Sequence, residues 1–509
     1  MNFPDVLIVG AGGSGAVLAA RLSEDPGRTV LVLEAGPVPS AFPHDLLDAR
    51  LVPGAQPGHP AVHAHPAHLT PDREYLSARG RFLGGSTTVN GGYFIRARRE
   101  DFDGWAARCG DDLWSYERVL PFLRALETDL DYGADDTHGD SGPVGIRRTD
   151  LKHPAAAAFQ AASRELGYPD EPDKNAQGVP GFGPVPSNAV DGRRVNTGIA
   201  YLLGALGRPN LTVLGDRTVR SVFIAHGRAT GVVVEHDGRH SVLEAGEIIL
   251  CAGAFGSPHL LHLSGIGPAR DLARAGIDVV ADLPAVGAAL SDHPQLVMEW
   301  EPRTPLDEPS GSWLGGALHL SSSGGAPGDL EILQSLVPLA GLVGGHVSVP
   351  GAPLAFLASI QTPRTSGGLH TMSADPSAGP RIDYGYLETG DDLRRLREAA
   401  RATAALVSAD AFTEISRGLT GPAPRVLDDD TALDRWIRSR LGTSQHTCGT
   451  APMGSPADPS SAVDSHGRVH GIRSLRVADL SILPTAPLRG PAATAVLLGE
   501  LLAHTLLHE

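Results

Sequence analysis

Four apolar residues, Val6-Leu7-Ile8-Val9, run directly into Gly10-Ala11-Gly12-Gly13-Ser14-Gly15. A GxGxxG placed immediately behind a strand-like run admits few folds. Gly10 permits a tight turn, Gly12 lets the backbone approach a pyrophosphate, and Gly15 lets the next helix pack closely on the strand. Residues 16–22 read as that helix, and residues 29–33 as a second strand ending in Glu34. The unit is β-α-β, with Gly13 and Ser14 at a helix N-terminus whose positive end attracts phosphate. A carboxylate at Glu34, with Ala35 behind it, can accept hydrogen bonds from ribose hydroxyls and would repel a 2′-phosphate, which argues against NADP. A plain glycine turn between core elements would leave Glu34 unexplained. The motif alone does not separate FAD from NAD.

A chain of 509 residues exceeds one ordinary core and suits two or three packed domains. Residues 440–509 return to strand, turn and helix, echoing the start. The expected fold is α/β. A Rossmann-like domain is assembled from residues 1–36, 75–110, 205–290 and 440–509, around an inserted α+β substrate domain of residues 111–204 and 291–439. The inserted part reads as a mostly antiparallel sheet over 291–385 and an arginine-rich amphipathic helix over 391–408. Helical patterns cover 114–127, 154–166 and 257–276, and alternation over 211–250 reads as strands. Residues 37–74, rich in Pro, Gly and His, read as a loop excursion near the pocket. Residues 492–507 carry Glu500 and His504 and read as an amphipathic closing helix.

A net charge of −16 argues against nucleic acid and anionic membranes as partners. Lysine occurs only at 152 and 174, so a Schiff-base lysine is a poor candidate. Three scattered cysteines, Cys109, Cys251 and Cys448, make no disulfide framework and fit a reducing compartment. The best candidate for an apolar span, residues 336–358, is broken by Gly344, Gly345, His346 and three prolines, so no membrane span is expected. No basic leader precedes the first strand, and a cytoplasmic location is expected. His59, His63, His65 and His68 invite a metal reading, but their spacing is irregular and no carboxylate or cysteine accompanies them. A segment flanking the pocket is preferred, and no metal site is expected. Asp129, Asp131, Asp135 and Asp136 read as a solvated acidic loop, since the calcium-loop glycine and terminal glutamate are missing.

Several segments, in order along the chain, resemble the glucose–methanol–choline (GMC) oxidoreductases. Residues 80–90 (Gly-Arg-Phe-Leu-Gly-Gly-Ser-Thr-Thr-Val-Asn), followed by Gly91-Gly92-Tyr93-Phe94, are similar to the first family signature. Gly253-Ala254-Phe255-Gly256-Ser257-Pro258 and the residues through Gly267 are similar to the second. Asp292-His293-Pro294, Ser373-Ala374-Asp375-Pro376, His446-Thr447-Cys448-Gly449-Thr450 and Leu475-Arg476-Val477-Ala478-Asp479 complete the series. The resemblance implies FAD. It makes Gly85 a cofactor-binding residue, and places Asn90, Gly91, Gly92 and Tyr93 near the isoalloxazine and Val219 at the adenine through its backbone, although a plain core valine fits as well. It also puts Asp479 in the ribityl-pyrophosphate region, and Ala252, Pro491 and Ala492 against the cofactor. Val89 stands where some members carry a flavin-linking histidine, so the flavin is expected to be noncovalent.

The resemblance further implies oxidation of an alcohol CH–OH group by hydride transfer to flavin N5, with His446 as general base. A neutral imidazole suits proton abstraction near pH 7. The family's second catalytic histidine or asparagine aligns with Gly490, which has no side chain. Either one histidine suffices, or Arg489 reaches in to stabilise an alkoxide, or the missing volume admits a large substrate. A surface position for Arg489 is an equal alternative. Compact length and the altered terminal segment are most similar to members associated with mycofactocin, a peptide-derived redox cofactor. Such a member would oxidise the reduced cofactor and pass electrons to a respiratory acceptor. Alternatives are a choline- or simple-alcohol-type dehydrogenase or oxidase, a flavin-containing hydroxynitrile lyase, and a flavin-binding protein without catalysis. The alcohol and the electron acceptor, oxygen or a respiratory carrier, stay open.

Overall fold

A computed structural model describes residues 3–342, 349–363 and 367–509 of the chain. Residues 343–348, within the apolar stretch noted above, lie outside the described residues. Five parallel strands form the nucleotide-type sheet, in the order Leu211–Leu214, Val30–Leu33, Val6–Val9, Glu247–Leu250, Leu475–Val477. Val6–Val9 is central and buried along its whole length, which is why it is uninterruptedly apolar. Its register pairs Val9 with Leu33 and with Leu250, and Leu250 pairs with Val477. Gly10, Glu34, Ala252 and Asp479 therefore all emerge at one carboxyl edge, where ligands of open parallel sheets bind.

Helix Gly15–Leu22 packs against the terminal helix Ala492–His508. The terminal helix closes the domain as expected, but it is buried more fully than the amphipathic reading from Glu500 and His504 implied. Twelve of its residues are buried, Glu500 among them. The Glu500 carboxylate is satisfied inside, taking Arg21 Nε at 2.8 Å and the Tyr201 hydroxyl at 2.7 Å.

The second large sheet is mostly antiparallel, in the order Ser416–Leu419, Pro294–Pro302, Leu354–Ile360, Leu330–Ser335, Leu314–Leu320, Phe182–Pro184. Alternation divides its faces. Leu330 and Ile332 join a core with Phe356 and Leu396, on the side of helix Gly390–Ser408. Glu331 and Leu333 point the other way, and the pairing of Leu357 with Val297 and with Leu333 continues that face. The sheet thus offers one apolar wall with a carboxylate set in it.

Two expectations fail here. Residues 37–74 are not only a loop: Val62–Thr70 pairs antiparallel with Arg73–Gly80, in a sheet with Arg381–Asp383 and Gly368–His370. Its period-2 pattern, with Ala67 and Leu69 buried, was hidden by the prolines and histidines. His63, His65 and His68 consequently spread along the strand, and His59 precedes it. His63 and His65 face the cavity, His59 contacts Asp45, and His68 contacts Asp383. Asp131, Asp135 and Asp136 are exposed as expected, but Asp129 is buried. It belongs to an internal ion cluster with Glu127, Asp173, His138, Arg96 and Arg148. Glu127, Asp129 and His138 lie close enough to share a metal ion, yet the two guanidinium groups already neutralise the carboxylates. Among the described residues, no helix is long and apolar enough to cross a membrane.

Candidate active site

One cavity of about 910 Å³ reaches Glu34 and Val219 at the parallel sheet and His446, Tyr93 and Glu331 at the antiparallel one. Its nucleotide-type half is built from close backbone approaches. A Cβ on Gly15 would stand 2.0 Å from the Gly10 carbonyl oxygen, so only glycine lets the helix start there. Gly85, at φ +54°, would bring a Cβ within 2.7 Å of Gly12 Cα. The two glycine turns, far apart in sequence, meet in space and leave room for a backbone-hugging pyrophosphate. Gly10, Gly12, Gly13 and Ser14 line the cavity, whereas Gly15 lies behind them as a packing residue. Ser14 Oγ ties the turn to the terminal helix through the Ala495 carbonyl at 2.8 Å.

Glu34 is buried, which raises its pKa, while amide hydrogen bonds from Ala11 and Gly36, each 2.8 Å, oppose that shift. Each oxygen accepts one amide and retains a lone pair for a ribose hydroxyl. Ala35, Ala252, Asn90 and Gly91 line the same cavity, as does Val219, which sits at a bulge in its strand. Pro491 and Ala492 bring the positive end of the terminal helix to the cavity. Asp479 also lines it, but its carboxylate already takes Gly253 N–H, Ser257 Oγ, and both N–H and Oγ of Ser481. It pins the second glycine turn to the sheet edge and has little acceptor capacity left. Gly92 does not line the cavity. Its neighbours Gly91 and Tyr93 do, while the Gly92 carbonyl accepts the Ser187 hydroxyl at 2.8 Å.

At the far end, His446 is held by its backbone and by one ring nitrogen. Asp292, fully buried, accepts the amides of His293 at 2.7 Å and His446 at 2.9 Å. It also takes the Thr447 hydroxyl at 2.5 Å. The two imidazoles meet edge to face, with Nδ1 to Nδ1 at 2.9 Å. One of those nitrogens must donate. His293 Nε2 is buried with no hydrogen-bond partner among the described residues, and the Pro487 carbonyl raises the affinity of the His293 ring for a proton. We therefore assign the protons to His293 Nε2 and His446 Nδ1, which leaves the His446 Nε2 lone pair facing the cavity. Burial pulls the His446 pKa down to about 4, against the charge of Glu331 and with that of Arg79, so the ring is neutral at pH 7. A Cβ on Gly490 would lie 3.6 Å from Nε2, in ordinary contact, so the glycine leaves room for a methyl group beside the base.

Arg489 takes neither of its expected places. It is fully buried, outside the cavity lining, and its guanidinium turns to the Gly328 carbonyl at 3.4 Å and to Glu171 at 3.5 Å. Behind the cavity wall it joins a polar chain that sequence reasoning missed. Lys174 Nζ meets Glu171 at 2.8 Å and His319 Nδ1 at 3.1 Å; His319 Nε2 reaches Glu331 Oε2 at 2.9 Å; and Tyr93 donates its hydroxyl to the same oxygen at 3.0 Å. The only sequence signals were Lys174 in a lysine-poor chain and Glu331 inside an apolar strand.

Residues 4–295 and 363–499 match the two models that describe GMC oxidoreductases. A GMC-type oxidoreductase in the thcA 5′ region of Rhodococcus erythropolis is 39% identical over 98% of this chain and 97% of that protein. An oxygen-dependent choline dehydrogenase of Cronobacter sakazakii is 34% identical, covering 98% of this chain and 94% of that one. Pyridoxine 4-oxidase from Mesorbium loti superposes with a TM-score of 0.91 at 29% identity, over 99% of both chains. Formate oxidase of Aspergillus oryzae shares the fold, with a TM-score of 0.89 at 23% identity over 99% of this chain and 98% of that one. The room between the glycine turns, the free lone pairs of Glu34 and the helix end at Ala492 fit a flavin dinucleotide. The chain belongs to the GMC oxidoreductase family, and its cofactor is FAD.

Proposed function

We propose that this chain oxidises an alcohol, with His446 as the general base. The observation that carries the reading is the His446 ring, anchored at Nδ1 by His293, with Nε2 open to the cavity beside Gly490. Glu34, Gly12, Gly85 and the end of helix Ala492–His508 would hold the adenosine, pyrophosphate and ring portions of FAD. The bound flavin supplies a hydride acceptor. His446 Nε2 takes the proton of the substrate hydroxyl. The imidazolium so formed is stabilised by the Glu331 carboxylate, whose charge raises the affinity of that ring for a proton. Asp292 fixes the ring through two backbone amides, so the base does not have to be oriented at the moment of reaction. Trp313, Val297, Leu333 and Leu357 keep the surroundings apolar and exclude bulk water. With glycine at 490, no second side chain faces the reacting hydroxyl from that segment.

The test is anaerobic mixing of the yellow holoenzyme with a panel of alcohols, including choline, pyridoxine and reduced mycofactocin. A productive donor bleaches the flavin. His446→Ala should slow that bleaching by about 10²- to 10⁴-fold while retaining bound FAD. Unchanged bleaching in the variant would move the base elsewhere. Cyanide release from a cyanohydrin without bleaching would favour a lyase. The mycofactocin reading rests on the Gly490 opening, and it predicts that reduced mycofactocin bleaches fastest. Peroxide formation on admitting air would identify oxygen as the acceptor, as the choline dehydrogenase relatives' name suggests.

A further inference from the structure

Glu331 presents a buried carboxylate with one oxygen committed and one free. It is 3% exposed, and Oε2 accepts both the Tyr93 hydroxyl and His319 Nε2. The donor at His319 is fixed by what lies behind it. An ammonium group only donates, so Lys174 Nζ forces His319 Nδ1 to accept and leaves the ring proton on Nε2. Oε1 receives no hydrogen bond from the described residues, and Glu331 lines the cavity among Trp313, Val297, Leu333 and Leu357. The Trp313 N–H is already spent on the Gly91 carbonyl at 2.8 Å.

A carboxylate oxygen in an apolar wall is costly without a donor. Water can serve an empty cavity, but a substrate that displaces the water must replace its hydrogen bond or strand the oxygen. The charge of the surroundings selects the kind of donor. Lys174 and Arg489 are the cations of this buried cluster, and Glu171 and Glu331 the anions, so the cluster is neutral as it stands. A fixed cation would leave it with one uncompensated charge, and a quaternary ammonium has no N–H to give. A neutral hydroxyl or N–H satisfies Oε1 and keeps the balance.

We propose that Glu331 is the specificity-determining residue, and that it selects alcohols carrying a second, neutral hydrogen-bond donor over quaternary ammonium alcohols. The assignment deepens the alcohol-oxidation reading and rests on it for turnover, though not for binding. Glu331→Gln offers a distinctive signature. Tyr93 and His319 both donate, so the glutamine oxygen takes the place of Oε2 and its NH₂ group faces the cavity. The variant should then accept ligands that only accept hydrogen bonds.

Anaerobic flavin reduction by 1,3- and 1,4-benzenedimethanol is compared with reduction by the corresponding (methoxymethyl)benzyl alcohols, which keep the distal oxygen and lose its proton. Choline is run alongside. The wild-type holoenzyme should favour the diols at least about tenfold in rate over dissociation constant, and Glu331→Gln should bring that ratio below about threefold. A second arm uses perturbation of the oxidised flavin spectrum by 4-methylphenol and 4-methylanisole, neither of which carries an alcohol to oxidise. The phenol should bind the wild type about tenfold more tightly, and the variant should bind the two about equally. Equal affinities in the wild type, an unchanged preference in the variant, or choline outperforming the diols would each overturn the assignment. If no alcohol reduces the flavin, the oxidation reading falls alone, and the binding arm still decides the role of Glu331.

Discussion

Replacing His138 with glutamine should flatten the dependence of stability on alkaline pH. The wild-type imidazole is completely buried, with Nδ1 2.8 Å from Glu127 and 3.0 Å from Asp129, and Nε2 2.7 Å from Asp173. Burial alone would lower its pKa, but the three carboxylates outweigh burial and raise it to about 10. The unfolded chain has the ordinary histidine value, about 6.5. Because the folded pKa is the higher one, the stabilisation is complete below pH 6.5 and disappears as pH rises through 10. Linkage with these two values gives about 4 kcal/mol at pH 7 and about 1 kcal/mol at pH 9. For a 509-residue chain unfolding as one unit, an unfolding entropy of about 1 kcal/mol/K converts the loss into a Tm decrease of about 2–3 °C. Calorimetric melts of the holoenzyme at pH 7 and pH 9 measure it, and His138→Gln cancels every other titrating group in the comparison. The wild type should lose about 2–3 °C more than the variant across that interval. Parallel curves for the two proteins would refute the claim that His138 is held as a cation. The cluster bears on the site as well, because Asp173 precedes the lysine that fixes the His319 tautomer.

Gly15→Ala should abolish FAD binding and yield colourless or insoluble protein, since its Cβ would lie 2.0 Å from the Gly10 carbonyl oxygen; retained yellow colour would contradict the packing described. Gly490→Ala, whose Cβ meets nothing closer than 3.5 Å, should keep FAD and change stability by less than about 1 kcal/mol, while slowing bulky alcohols more than small ones. The rate of flavin reduction should stay flat from pH 8 down to about 5 and fall only near pH 4, because burial lowers the His446 pKa and protonation abolishes the base. An acid limb near 6.5 would show that the ring is solvated.

The β-α-β unit and the carboxyl-edge glutamate were legible because their signals are local. A glycine turn behind a strand is a backbone requirement met by a few consecutive residues, and Gly10, Gly15 and Glu34 sit where that requirement puts them. Resemblance to the GMC family extended the reading to Asn90, Gly91 and Val219, whose side chains by themselves say little. Arg489 was misplaced because its alternatives, cavity or surface, left out a third. A guanidinium can be buried when a distant carboxylate, here Glu171, is folded against it. Asp129 looked solvated among exposed aspartates for the same reason, since its partners Arg148 and His138 lie outside the acidic run.

Sequence alone determined dinucleotide binding, because a glycine turn behind a strand is complete within a few residues, while the resemblance to the GMC family supplied FAD and the expectation of His446 as base. Tertiary structure alone set His293 Nδ1 against His446 Nδ1 and committed Glu331 Oε2 to Tyr93 and His319. Those properties belong to pairs and chains of side chains, His293 with His446 and Lys174 through His319 to Glu331, brought together from separate strands and loops. A hydrogen-bond direction is fixed only when both partners are present, and no single stretch of this sequence contains both.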